Sequence, residues 1–194
     1  MYEYADLVIN YLNSQFIEKF SKLKSTIATD ELNILQTVKT MFAEMDELVR
    51  EWLYHLAVVA YENVSNGDVS GITEQWLLDE VLERVDPVTK YIYSSEVERK
   101  CSRLYESLML GWDSVEIDKS LRYWSLMVEQ MAISTVDAAT LQAYEDMGVL
   151  KVIWRAEIDG RECSICHKRD GKVYSMEELP PKPHIGCRCF FEPA

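Results

Sequence analysis

Between Tyr4 and Met147 apolar residues recur at three- and four-residue spacing, and after Gly148 they stop doing so. Tyr4, Val8, Leu12, Phe16 and Phe20 form one stripe, with Leu7 and Tyr11 beside it. Met41, Met45, Leu48, Trp52, Leu56 and Val59 form a second, Val97, Cys101, Leu104 and Leu108 a third, and Leu121, Trp124, Val128 and Met131 a fourth. That spacing puts each set on one face of a helix that must bury it against another helix. The Met and Trp residues in the stripes read as core packing rather than as a binding surface.

Turn chemistry divides the stripes. Thr29 or Asp30 offers an N-cap, Ser65-Asn66-Gly67-Asp68 and Ser70-Gly71 mark a turn, and Asp86-Pro87 closes one helix and opens the next. Gly111-Trp112-Asp113-Ser114 breaks the pattern again, and Gly148 fits the left-handed position that ends a helix. The fold class expected is mainly α, five or six helices, with a small C-terminal β unit held by zinc, hence α+β overall. The expected boundary divides a helical body at 1–148 from a module at 149–194.

Residues 149–158 are β-branched and aromatic and predict a strand, Asp170 to Ser175 a turn and a second short strand, and Cys187 to Pro193 a last one. Leu179-Pro180-Pro181-Lys182-Pro183 is too stiff for a central strand. This unit has little apolar mass of its own, and small units of that kind need a staple.

The staple is visible in the ligand residues. Four of the five cysteines and two of the three histidines lie between Cys163 and Cys189. Cys163-x-x-Cys166 places two thiolates on one tight turn, and His184-x-x-Cys187-x-Cys189 supplies the distant half of a four-ligand tetrahedral zinc site. If Cys187-Arg188-Cys189 is extended, its two thiols point to opposite faces and only one reaches the metal. The favoured set is Cys163, Cys166, His184 and one of Cys187 and Cys189, with Cys189 ahead; His167 is the alternative histidine. A closed, thiolate-rich set is structural rather than catalytic. One Zn²⁺ per chain is expected. Disulfides are the weaker reading, because the odd cysteine count fits a disulfide framework poorly and the N-terminus lacks a secretory pattern, which predicts synthesis in a reducing cytosol. His55 reads as a packed or rim histidine and Cys101 as a buried, inert thiol.

Charge narrows the function. The net charge is −13, and residues 1–150 hold 12 lysines and arginines against 26 acids, whereas residues 151–194 hold 8 against 7. An acidic body argues against broad nucleic-acid binding and suits either a basic protein partner or plain solubility. No apolar run is long enough to span a membrane. His-Glu-x-x-His, the nucleobase-deaminase pattern, a phosphate-binding glycine loop and Gly-x-Ser-x-Gly are all absent from the sequence. An HNH-like nuclease would need a paired Asp-His and further ligands that His167 and His184 do not supply.

Gly148, Trp154, Asp159, Arg161, Cys163, Cys166, Asp170 to Tyr174, Pro180, Pro181, His184, Cys187, Arg188 and Cys189 together resemble the C-terminal signature of the phage Mu F-like head-morphogenesis proteins, also called minor head or minor capsid proteins. The likeness covers about 55 residues at the C-terminal end. One departure is Ser134-Thr135-Val136-Asp137, where the family carries an Arg-Thr-Glu. The resemblance implies a non-catalytic virion protein of the phage head, present in the host cytoplasm before assembly, that binds portal or capsid proteins. Lys168, Arg169, Lys172 and Arg188 are candidates to face an acidic partner or DNA, against a plain solvated surface. An oligomer formed by the N-terminal helices is left open. The rival readings are a zinc-dependent HNH-like nuclease or hydrolase, and a host-directed adaptor that shares the zinc module.

Overall fold

The computed structural model describes residues 2–27, 33–65, 69–84, 92–111, 113–157 and 163–194. The expected cap at Thr29 or Asp30, the Asn66-Gly67-Asp68 turn, the Asp86-Pro87 boundary, Trp112 and the Asp159–Arg161 stretch lie outside the described residues.

Six α-helices are described, followed or interleaved by three strands: α1 (Glu3–Ile27), α2 (Ile34–Ser65), α3 (Glu74–Leu77), α4 (Tyr93–Met109), α5 (Asp113–Asp146), β1 (Lys151–Arg155), α6 (Ser164–Arg169), β2 (Val173–Ser175) and β3 (Phe190–Pro193). The chain is thus mainly α with a small C-terminal sheet. None of its helices is long and apolar enough to cross a membrane among the described residues.

The stripes do bury themselves, though narrowly. Val8, Leu12, Phe16 and Phe20 of α1 are buried, while Leu7 is 65% and Tyr11 39% exposed. Helix α1 packs on α2 and α5, and α2 also on α4. At the centre Trp124 of α5 is fully buried. Phe16, Phe42 and Tyr93 meet it edge-on, with ring centroids 5.6, 5.4 and 6.3 Å away. Such edge-to-face contacts add about 0.5–1.5 kcal/mol each beyond area burial. Thr73 caps α3 by accepting from the Trp76 amide at 3.0 Å. Helix α3 then runs into one π turn, Leu78–Leu82, whose Leu82 is fully buried.

Helix α5 ends as expected at Gly148. The Gly148 amide donates to the Glu145 carbonyl and the Val149 amide to that of Tyr144, both at 2.9 Å, with Gly148 at φ +75°. These are the two bonds of a Schellman cap, which satisfy carbonyls the helix would otherwise leave orphaned. The cap also reverses the chain into β1.

The sheet is antiparallel, in the order β2-β1-β3. On β1 the alternation is strict: Val152 and Trp154 are fully buried and Lys151 is exposed. Trp154 pairs with Phe191 and stands edge-on to its ring at 5.2 Å. The strand is shorter than the expected 149–158. Val149 is spent on the helix cap, and the Ala156 amide donates to the Asp170 side chain at 2.9 Å instead of to a strand. A second apolar cluster forms here from Tyr144, Val152, Trp154, Cys166, Cys187, Cys189 and Phe191, with Leu141 and Val64 packed against it. The last turns of α5 therefore form a wall of both clusters.

Candidate metal centre

Four cysteines and His184 are set by three short pieces of backbone. The first is α6, a six-residue helix that sequence periodicity does not signal. Cys163 is its N-cap, with extended backbone, and its sulfur accepts from the Cys166 amide at 3.4 Å. That bond points both thiols to one side, Sγ to Sγ 3.5 Å apart. The second piece is the loop at His184. The His184 Nδ1 lies 3.0 Å from its neighbour's carbonyl, Ile185 O, which turns Nε2 toward Cys166 Sγ at 3.7 Å. Gly186, at φ +69°, allows the sharp turn that follows, and its amide donates to Gln130 Oε1 on α5 at 3.0 Å.

The third piece corrects an expectation. Cys187 and Cys189 precede β3 rather than belonging to it. Because the backbone is not in a strand, the two thiols do not alternate between faces. Both are buried, at 1% and 3% exposure. Their carbonyls, which a strand would pair in a ladder, are taken by side chains: Lys182 Nζ donates to Cys187 O at 3.0 Å, and the Tyr2 hydroxyl to Cys189 O at 2.9 Å.

The ligand atoms fall into two groups that share Cys166. Those of Cys163, Cys166 and His184 lie within 4.8 Å of one another, and so do those of Cys166, Cys187 and Cys189. All five cysteines are free thiols, so no disulfide competes for them. The donor set fits zinc on distance. With Zn–S near 2.3 Å, a tetrahedron puts sulfurs about 3.8 Å apart and S and N slightly closer. Cys163–Cys166 and Cys166–Cys187 at 3.5 Å, with Cys166–His184 at 3.7 Å, are within a few tenths of that edge.

Without a cation the thiols cannot all ionise. A hydrogen bond from Cys187 holds Cys189 down to about 5, and the same pairing, with burial, pushes Cys187 up. Burial pushes Cys166 up to about 12, helped by its neighbours Cys189 and Cys163. At Cys163 burial raises the thiol, but the Cys166 and Ile165 amides and the nearby imidazole outweigh it and hold it below the usual range. Negative charge therefore gathers on some sulfurs at the expense of others, and a divalent cation is what would let three or four coexist.

His167 is exposed on α6 and lies in neither group. His55 is exposed beside Trp52 and Tyr54 on α2. Cys101 is half-buried rather than buried, and burial pushes its thiol up. Of the basic candidates, Lys168 and Lys172 are exposed. Arg169 is engaged within the module, donating to Pro181 O at 2.7 Å with its guanidinium 4.8 Å from the Trp154 ring. Arg188 is bound to Asp6 of α1. The residues that sequence reasoning missed are Tyr2, Asp6, Asp137 and Lys182, which touch the backbone or side chains between the ligands. No local pattern signals them, since Tyr2 and Cys189 are 187 residues apart.

A family model described as "Phage Mu protein F like protein" matches residues 86–192, from before α4 to the end of the sheet. No curated protein and no solved structure matches the chain.

Proposed function

Because this chain belongs to the phage Mu protein F like family, we propose that it is a minor head protein of a phage or prophage, acting in capsid or portal assembly as a structural, non-catalytic component. The observation that carries the reading is the family match itself, which spans more than half of the chain and includes every residue of the cysteine cluster. In this reading residues 1–148 are a helical body and residues 149–194 a metal module. The working places are the virion and, before assembly, the host cytoplasm.

The module takes one Zn²⁺ per chain through Cys163, Cys166, His184 and a thiolate from Cys187 or Cys189. The 3.5 Å edge between Cys166 and Cys187 favours Cys187. Bound zinc would neutralise the thiolates and tie the three backbone pieces together, a contribution on the order of 10 kcal/mol in small modules. The chain's own residues do the rest. Cys163 caps α6, His184 is aimed by its Nδ1 contact, and Trp154 closes the back of the cluster. The product is a rigid outer face carrying the exposed Lys168 and Lys172, the part of an otherwise acidic protein suited to an acidic surface of a head protein or to DNA.

The test combines metal content with location. Protein purified without added metal is expected to hold one zinc per chain and to release about three thiols on chelation, the number in a three-cysteine, one-histidine site. Mass spectrometry of purified particles is expected to find the chain in the head fraction. Absence from particles of a phage that encodes it would overturn the head reading, and zinc-free protein with freely reactive thiols would overturn the metal reading.

A further inference from the structure

We infer that the start of α1 is part of the metal centre's support: Tyr2, immediately before the helix, and Asp6 in its first turn, with Lys182 and Asp137, position the Cys187–Cys189 segment, so that metal loading and docking of α1 are coupled. The inference rests on the zinc reading above and goes beyond it, because it assigns a role to residues far outside the ligand module.

The geometry is a closed polar ring around a buried phenol. Tyr2 is 5% exposed. Its hydroxyl is 2.8 Å from Asp137 Oδ1, 2.9 Å from Cys189 O and 2.8 Å from Lys182 Nζ. The hydroxyl has one proton, shared between the carboxylate and the carbonyl, and it accepts from the ammonium. Lys182 uses all three of its protons, on the Tyr2 hydroxyl, on Cys187 O at 3.0 Å and on Asp137 Oδ2 at 2.6 Å. Between these two carbonyls stands Arg188, whose guanidinium grips both oxygens of Asp6. Each residue of the Cys187-Arg188-Cys189 stretch is thus fixed by a side chain reaching in from elsewhere: Cys189 by Tyr2 just before α1, Arg188 by Asp6 of α1, and Cys187 by Lys182, itself anchored on α5 through Asp137.

That arrangement decides where the thiols point. The segment is outside the sheet, so no ladder sets its backbone direction. If Tyr2 or Lys182 let go, the carbonyls of Cys187 and Cys189 would be left buried without donors, and the backbone would have to turn to find others. The sulfurs would turn with it. Partners of this kind, which orient ligands without touching the ion, typically cost about 10- to 100-fold in metal affinity when removed. The coupling is reciprocal by linkage: whatever α1 docking contributes to zinc affinity, zinc contributes to α1 docking.

The experiment uses the full chain. Apparent zinc affinity is measured by competition with a chromophoric chelator for the wild type, Tyr2→Phe, Asp6→Asn and the exchanged pair Asp6→Arg/Arg188→Asp. In parallel, hydrogen exchange of the unsubstituted chain is followed before and after EDTA. Tyr2→Phe and Asp6→Asn are each expected to weaken zinc about 10-fold or more, and the exchanged pair to regain part of that loss. Amides in the first two turns of α1 are expected to lose protection on chelation while those around Trp124 keep it. Tight zinc binding with unchanged affinity in both single variants, or an α1 indifferent to EDTA, would overturn the coupling alone. A wild type that takes up no zinc would overturn the metal reading and the coupling with it. Should a variant fail to fold, the exchange comparison on the unsubstituted chain decides.

Discussion

Trp124 and Trp154 are both fully buried, yet they are shielded by different means. Around Trp124 the cover is aromatic and aliphatic, delivered by α1, α2, α4 and α5 through faces that repeat every three or four residues. Around Trp154 it consists of Phe191, Tyr174, the Arg169 guanidinium and buried thiols. The first core closes by apolar area alone. The second closes because thiols and carbonyls that would be poor filling on their own are given partners. Helical amphipathicity thus makes a core that tolerates imprecision, whereas the sheet makes one that depends on a few specific atoms.

The sharpest way to break the contrast is Cys166→Ser, which removes the sulfur common to both ligand groups. It is expected to abolish zinc uptake and to erase the near-UV signal of Trp154. The far-UV helical signal should largely remain, since the helices draw on the other cluster. Loss of helix and sheet signals together would show that the two cores are not separable. Next is Trp124→Ala, expected to cost about 3–5 kcal/mol and to lower the thermal midpoint of the whole chain, read by calorimetry, with zinc content at low temperature unchanged.

The smallest effect concerns charge within the body. Glu96 is 3% exposed and bound by the Arg99 guanidinium, at 2.8 and 2.7 Å, and by the Tyr123 hydroxyl. Those hydrogen bonds, Arg99 first, hold its carboxyl below the usual range against the opposing effect of burial. A lowered folded-state value means stability that is present above the unfolded-state value, about 4.3, and is lost as pH falls through the lower folded-state value. Glu96→Gln should therefore flatten the acid limb of the stability curve, measured by urea midpoints between about pH 6 and pH 3. An unchanged acid limb would show that the exposed Arg99 is too well screened to matter.

The difference also explains what the sequence made legible. Val8, Leu12, Phe16, Phe20 and Trp124 could be placed in the core because a helix face is written locally. Leu7 and Tyr11, beside the same stripe, stay outside because α1 buries a narrower arc than its apolar residues allow. The helix stop at Gly148 was legible, since a left-handed turn strongly favours glycine. In the tail, β1 and the identity of the ligand residues could be read, but not the non-strand path of Cys187–Cys189, because composition there is as strand-like as Phe190–Phe191. Helix α6 is too short for periodicity and exists through the Cys163 cap. Tyr2, Asp6 and Asp137 were invisible for a deeper reason: their partners are set by the assembled fold, at separations from 45 to 187 residues.

Those separations have a consequence in time. Tyr2 and Asp6 leave the ribosome some 180 residues ahead of Lys182, Arg188 and Cys189. At translation rates of about 5–20 residues per second, the side chains of Tyr2 and Asp6 wait roughly 10–40 s for these partners. Within that interval the Phe16–Trp124 core and the Tyr2–Asp137 hydrogen bond can already assemble, while Asp6 still lacks Arg188. The ring around Tyr2 is therefore a closing step, complete only when residues 182–189 reach it.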